Sequence, residues 1–154
     1  MSGLLLERLQ PVAGIAPVAD GMAGGVTSDV YDMSAFERIV FLVYRGVASG
    51  GTAAPTYTVL ACDNTTPSNT TAIAFKYRKS LGAVADATTA GFQATAGSAK
   101  IDAIEVDESA LAASGYRYIQ LSIAETVNDP VVSAVLALGE LKVGGSGAYA
   151  DVTD

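Results

Sequence analysis

This 154-residue sequence predicts an all-β fold: an antiparallel, jelly-roll-like β-sandwich with an extended N-terminal arm and a flexible C-terminal tail. Three observations predict it. Val, Ile, Thr, Tyr and Phe gather in short runs separated by clusters of Gly, Pro and Asn, as strands are separated by turns. Within several runs the apolar residues recur every second position, which places them on one face of a strand. Sixteen glycines, with few of the strong helix formers, argue against a helical bundle. A chain of this length buries roughly 70% of its unfolded surface, so it builds a core without disulfides or metals.

Residues 1–32 read as an arm, because Pro11, Gly14 and Pro17 interrupt any helix and Gly21, Gly24 and Gly25 make a corner. Such an arm lies along a sheet edge or reaches a neighbouring subunit. Residues 33–143 form the sandwich. Its strongest strand is Glu37–Arg45, with Ile39, Phe41 and Val43 on one face and Val40, Leu42 and Tyr44 on the other. Two apolar faces predict a central strand covered on both sides. A small-residue loop, Gly46–Pro55, leads to a strand at Thr56–Asp63, and Asn64–Thr70 turns the chain. Thr71–Lys79 alternates Ile73, Phe75 and Tyr77 against Ala72, Ala74 and Lys76, as one strand with one face inward. Ser80–Lys100 has weak periodicity and reads as an exposed excursion with a short edge strand at Gly91–Thr95. Ile101–Val106 is a strand, and Asp107–Ser114 a single helical turn capped by Asp107 or Ser109 and ended by Gly115. Tyr116–Ala124 points Ile119, Leu121 and Ile123 inward. After a turn at Asn128, Asp129 and Pro130, Val131–Val143 is the last strand, with Gly139 marking a bulge or a close approach. Residues 144–154 are a Gly/Ser/Asp tail, so six or seven strands make the sandwich.

Sixteen acidic residues against nine basic ones give a net charge of −7, which repels nucleic acid. Lys76, Arg78 and Lys79 are too short a basic cluster to reverse that sign. No apolar run approaches the ~18 residues of a membrane span. Leu4–Leu6, followed at once by Glu7 and Arg8, is too short for a signal-peptide core, so synthesis in the cytoplasm is expected. One cysteine, Cys62, excludes an intramolecular disulfide.

The sequence contains no histidine, which removes most nucleophile–base systems. Cys62 reads as a buried structural thiol. Glu105, Asp107 and Glu108 could form a carboxylate pair for glycoside hydrolysis, but capping and turn roles explain them better. Asp63 with Asn64, and Asn128 with Asp129, could offer calcium oxygens, yet both pairs are ordinary turn residues. Gly21, Gly24 and Gly25 lack the strand–helix context of a phosphate loop. The sequons at Asn64 and Asn69 read as polar turns. No catalytic residue, cofactor or metal is expected.

The order of elements carries a resemblance. Ser34-Ala35-Phe36-Glu37-Arg38-Ile39-Val40-Phe41-Leu42-Val43 is followed by Thr56-Tyr57-Thr58-Val59-Leu60-Ala61-Cys62-Asp63, then Ala74-Phe75-Lys76-Tyr77-Arg78-Lys79. Later come Ile104-Glu105-Val106, Leu111, Gly115-Tyr116-Arg117-Tyr118-Ile119-Gln120-Leu121 and the strand from Val131 to Leu138. From about Ser34 to Val143 this layout resembles the decoration, or cement, proteins of tailed-bacteriophage capsids. The resemblance implies a β-sandwich on the outer surface of the virion, bound to the major capsid protein as a homo-oligomer, often a trimer, with no catalytic residues. Tail or head–tail connector components fit the same composition. A carbohydrate-binding sandwich is the reading from another class, weakened by the absence of Trp. The interface is expected on the arm, at Leu4, Leu5, Leu6, Leu9, Val12, Ile15 and Val18, and on the loop 82–99, at Val84 and Phe92.

Overall fold

A computed structural model describes residues 5–48, 54–125 and 131–142 of the chain. Two antiparallel sheets pack face to face as a sandwich. The chain opens with a helical turn, α1 (Leu5–Arg8), and then forms β1 (Leu9–Val18), β2 (Val26–Thr27), β3 (Tyr31–Asp32), β4 (Phe36–Ala48), β5 (Thr56–Cys62) and β6 (Thr70–Ile73). There follow β7 (Phe75–Lys79), β8 (Val84–Ala87), β9 (Phe92–Gln93), β10 (Lys100–Asp107), a 3-10 turn (Glu108–Leu111), β11 (Tyr118–Ala124) and β12 (Val131–Leu141). One sheet runs β1-β12-β4-β10-β7-β8. The other runs β2-β11-β5-β6, with β3 on β11 and β9 on β5.

The core lies where the alternating positions of the two sheets meet. Ile39, Phe41, Val43, Ile104 and Val106 face Tyr57, Val59, Ala61, Ile119, Leu121 and Ile123, all at most 1% exposed. Burial of each large apolar side chain contributes about 1.5–3 kcal/mol. At Gly139 a Cβ would fall inside the Phe36 ring, so this glycine is the close approach expected of it.

The expectations for three segments can be compared with the fold. Thr71–Lys79 is two strands in opposite sheets, not one. The chain steps from β6 to β7 at Ala74, and Ile73 and Phe75 both stay buried because the core lies on the inner side of that corner. In the excursion 80–100 a short strand falls within Gly91–Thr95 as expected, β9 bonded to β5, and a further strand, β8, bonds to β7. The N-terminal segment lies along a sheet edge, the first of its two expected placements. β1 pairs with β12, while β2 and β3 join the other sheet, so residues 9–32 are built into the sandwich.

Helical structure after β10 follows the expected cap. Asp107 accepts from the Ser109 N–H at 2.9 Å, and these Ser109 contacts hold its carboxyl below the usual range. Gly115, at φ 71°, ends the turn. Leu4, residues 49–53 of the first loop, the Asn128-Asp129-Pro130 turn and the tail 144–154 lie outside the described residues.

Candidate protein-binding face

The cross-strand register decides what each sheet shows to the outside, because residues paired across strands share a face. On the β2-β11-β5-β6 sheet the outward pairs are Thr27 with Ser122, Ser122 with Thr58, and Gln120 with Leu60. That surface mixes hydroxyl and amide groups with Leu60, Ala72 and Tyr118. On the six-stranded sheet the outward rows differ. One row is Leu136, Leu42, Ala103, Arg78 and Val84; another is Ala134, Tyr44 and Ile101; a third begins with Pro11, Leu138 and Val40. Tyr44 is 50% exposed, Leu136 and Ile101 49%, and Val84 56%.

This corrects the expectation for Glu37–Arg45. The strand is central, between β12 and β10, but only its Ile39–Phe41–Val43 face is covered. The Val40–Leu42–Tyr44 face belongs to an apolar surface that runs across the sheet.

The face is polarised. Its far end is charged, and the charges are paired within the chain. Arg38 sits 3.0 Å from Glu140 and 3.6 Å from Glu105, Arg8 pairs with Glu140, and Lys76 lies 2.6 Å from Asp86. Arg38, Lys76 and Arg78 stand there beside Asp86, Glu105, Asp107 and Glu140, so acidic and basic groups are interleaved on this face. A groove of about 270 Å³ crosses it, lined by Val40, Ala103 and Val84 with Lys76, Arg78 and Glu105 at its sides. Small Ala103 on β10, between larger neighbours, leaves the depression.

The residues expected at an interface divide into three groups. Leu5 and Leu6 on α1 are exposed, as is Val18 at the end of β1. Leu9 is half-buried and shares the outer face through its pairing with Glu140, and Val84 closes the opposite edge of that face. Val12, Ile15 and Phe92 make up the third group. Val12 and Ile15 point inward from β1 and pack on the core. Phe92 is buried, stacked on Tyr77 at 3.9 Å and tilted against Tyr57 at 5.1 Å. A glycine-rich, aperiodic segment hid the fact that its one aromatic side chain closes the core beside β7.

The groups considered for chemistry are occupied otherwise. Cys62 is buried and free, and burial, with Asp63 nearby, pushes its thiol up to about 11. Asp63 accepts from the side chains and N–H groups of Asn69 and Ser68, which close the turn and hold its carboxyl below the usual range. Glu108 pairs with Lys142 at 2.5 Å. Among the described residues no group of three His, Cys, Asp and Glu is placed to hold a metal ion, and no helix is long and apolar enough to cross a membrane.

Inside the sandwich, sequence reasoning missed a buried polar centre. Arg45 and Asp102, both 0% exposed, form an ion pair at 3.0 Å between β4 and β10. Asp102 also accepts from the Tyr57 hydroxyl at 3.2 Å and the Ser80 N–H at 3.2 Å, and Arg45 donates to the Thr95 carbonyl at 3.0 Å. The alternation that puts Ile104 and Val106 inward puts Asp102 inward too, and that was the available signal.

Fold and face together define an antiparallel β-sandwich in which one outer surface carries an apolar band, of Leu136, Leu42, Tyr44 and Ile101, bordered by paired charges. No family model, curated protein or solved structure matches the chain.

Proposed function

We propose that this chain is a non-enzymatic structural protein that assembles on the shell of a tailed phage, binding the major capsid protein and stabilising the particle as a homo-oligomer. The observation that supports this reading is the apolar outer face of the six-stranded sheet. A protein that acts alone in water rarely keeps contiguous Leu, Val, Ile and Tyr side chains on one broad surface, whereas an assembling protein covers them. The pairing of charges within that face fits the same role, since an acidic chain docks most readily where its own charge is cancelled.

The test is quantitative mass spectrometry of purified particles from the source of the chain, counting copies against the major capsid protein. A copy number comparable to the capsid subunit is the expected result. A handful of copies per particle would move the chain to the tail or a vertex, and none would remove it from the virion.

A further inference from the structure

After β7 the chain forms β8 on the edge of the six-stranded sheet, crosses the open side of the sandwich and adds β9 to the opposite sheet. It then returns to β10. Residues 81–99 thus bridge the two sheets, with little of their own inside. Ala87, Phe92 and Ala94 are buried, and every other residue of the span is exposed or half-buried. Phe92 is the one large buried side chain. It is wedged between Tyr57 of one sheet and Phe75 and Tyr77 of the other, with ring centroids 5.1, 6.0 and 3.9 Å away. A segment that orders many residues around few buried apolar contacts belongs to the low-stability end of a fold.

The two ends of the span carry strain and a shared fastening. Ser80 and Ala99 hold φ of 49° and 52°, the left-handed region that their side chains rarely adopt. The Ser80 N–H donates to Asp102 at 3.2 Å, and Arg45 donates to the Thr95 carbonyl at 3.0 Å, so both ends meet the same buried ion pair. Lifting the span relaxes both junctions and returns water to two buried charges, which offsets the loss of those bonds. The other ties are short: four residues of β8 on β7 and two of β9 on β5.

We propose that residues 81–99 are a strap that opens as one unit while the two sheets stay folded, baring an aromatic slot lined by Tyr57, Phe75 and Tyr77. The opening is cooperative because both ends are fastened at one ion pair and the middle is held by one plug, Phe92. The strap is independent of the proposed function, since it needs neither a second copy nor a shell. Gly91 makes the closed form possible. Its φ is 74°, and a Cβ there would lie 2.0 Å from the Tyr57 carbonyl oxygen, so a side chain at this position is incompatible with a strap lying on β5.

The experiment is hydrogen exchange of the full chain in urea below its unfolding transition, with the variants Gly91→Ala and Gly115→Ala. Two backbone N–H groups report on the strap: Ala94, bonded to Pro55 at 2.8 Å, and Ala99, bonded to Gly46 at 2.9 Å. Leu121, bonded to Ser28 at 3.0 Å, reports on the sandwich. In the wild type Ala94 and Ala99 should share one opening equilibrium, at least about a hundredfold more populated than that of Leu121 and much less sensitive to urea. Gly91→Ala should raise strap exchange roughly thirtyfold or more, with the sandwich still unfolding cooperatively. Gly115→Ala is the control, because φ is 71° there and nothing lies within 4 Å of an added Cβ. It weakens the sandwich equally with the strap closed or open. Leu121 exchange should therefore rise roughly fivefold, with Ala94 and Ala99 unchanged. One rate and one urea dependence for all three amides, or strap exchange that follows Gly115→Ala, would overturn the proposal. So would strap exchange indifferent to Gly91→Ala, or loss of the whole sandwich in that variant.

Discussion

Asp102 is the residue on which most of the interior polar structure converges, holding Arg45, the Tyr57 hydroxyl and the Ser80 N–H at once. Removing one partner of a fully buried ion pair leaves the other charge uncompensated. Asp102→Ala is therefore expected to cost about 3–5 kcal/mol in urea unfolding, and replacing Arg45 and Asp102 together by Met and Leu to cost less than Asp102→Ala alone. Equal losses for the single and double variants would show that the pair is not the source of the effect. The same centre sets an alkaline limit. Burial, and then the Asp102 charge, raises the Tyr57 phenol above its ordinary 10.0; burial does the same to Tyr31. A phenol whose folded pKa is raised binds its proton more tightly folded than unfolded. Its stabilising effect is complete below the unfolded value and is lost as pH rises toward the folded one. The urea midpoint should hold steady through neutral pH and fall steeply above about pH 10. A midpoint that stayed flat there would contradict the burial of both phenols.

At the scale of elements, β1 does two jobs. It buries Val12 and Ile15 against the core and covers the free edge of β12 along Leu9–Val18. An exposed strand edge is a template for intermolecular pairing. Deleting residues 1–18 should therefore lower the thermal midpoint and produce aggregates visible by light scattering, not merely weaken association. A deletion chain that stayed stable and free of aggregates would show that β1 is dispensable to the sheet. How far the elements could be read from sequence depended on length and period. Strands such as Thr56–Cys62 and Tyr118–Ala124, at seven residues, repeat the alternation often enough to be legible. β8, with four residues, and β9, with two, are too short to display a period, so nothing in the sequence marks Phe92 as core. The β6–β7 corner was illegible for the opposite reason: alternation continues through Ala74 although the hydrogen-bonding partners change sheets. The outer face of β4 was half legible. Val40, Leu42 and Tyr44 showed that β4 has a second apolar face, but an apolar pattern does not say whether the cover comes from the same chain.

At the scale of the molecule, the two outer surfaces of the sandwich give the account its direction. One mixes Thr, Ser and Gln with Leu60 and Tyr118; the other carries a band of Leu, Val, Ile and Tyr bordered by paired charges, and the proposed function places the protein contact there. A net charge of −7 opposes non-specific association, and the proposed function confines association to the face where charges are paired within the chain. The measurement that tests this most directly is hydroxyl-radical footprinting of side chains in the dilute chain and in the assembled particle. Tyr44, Leu136 and Ile101 should react freely in the dilute chain and be protected on assembly, with Leu60 on the opposite surface unchanged. Equal reactivity of Tyr44, Leu136 and Ile101 in both states would contradict the account.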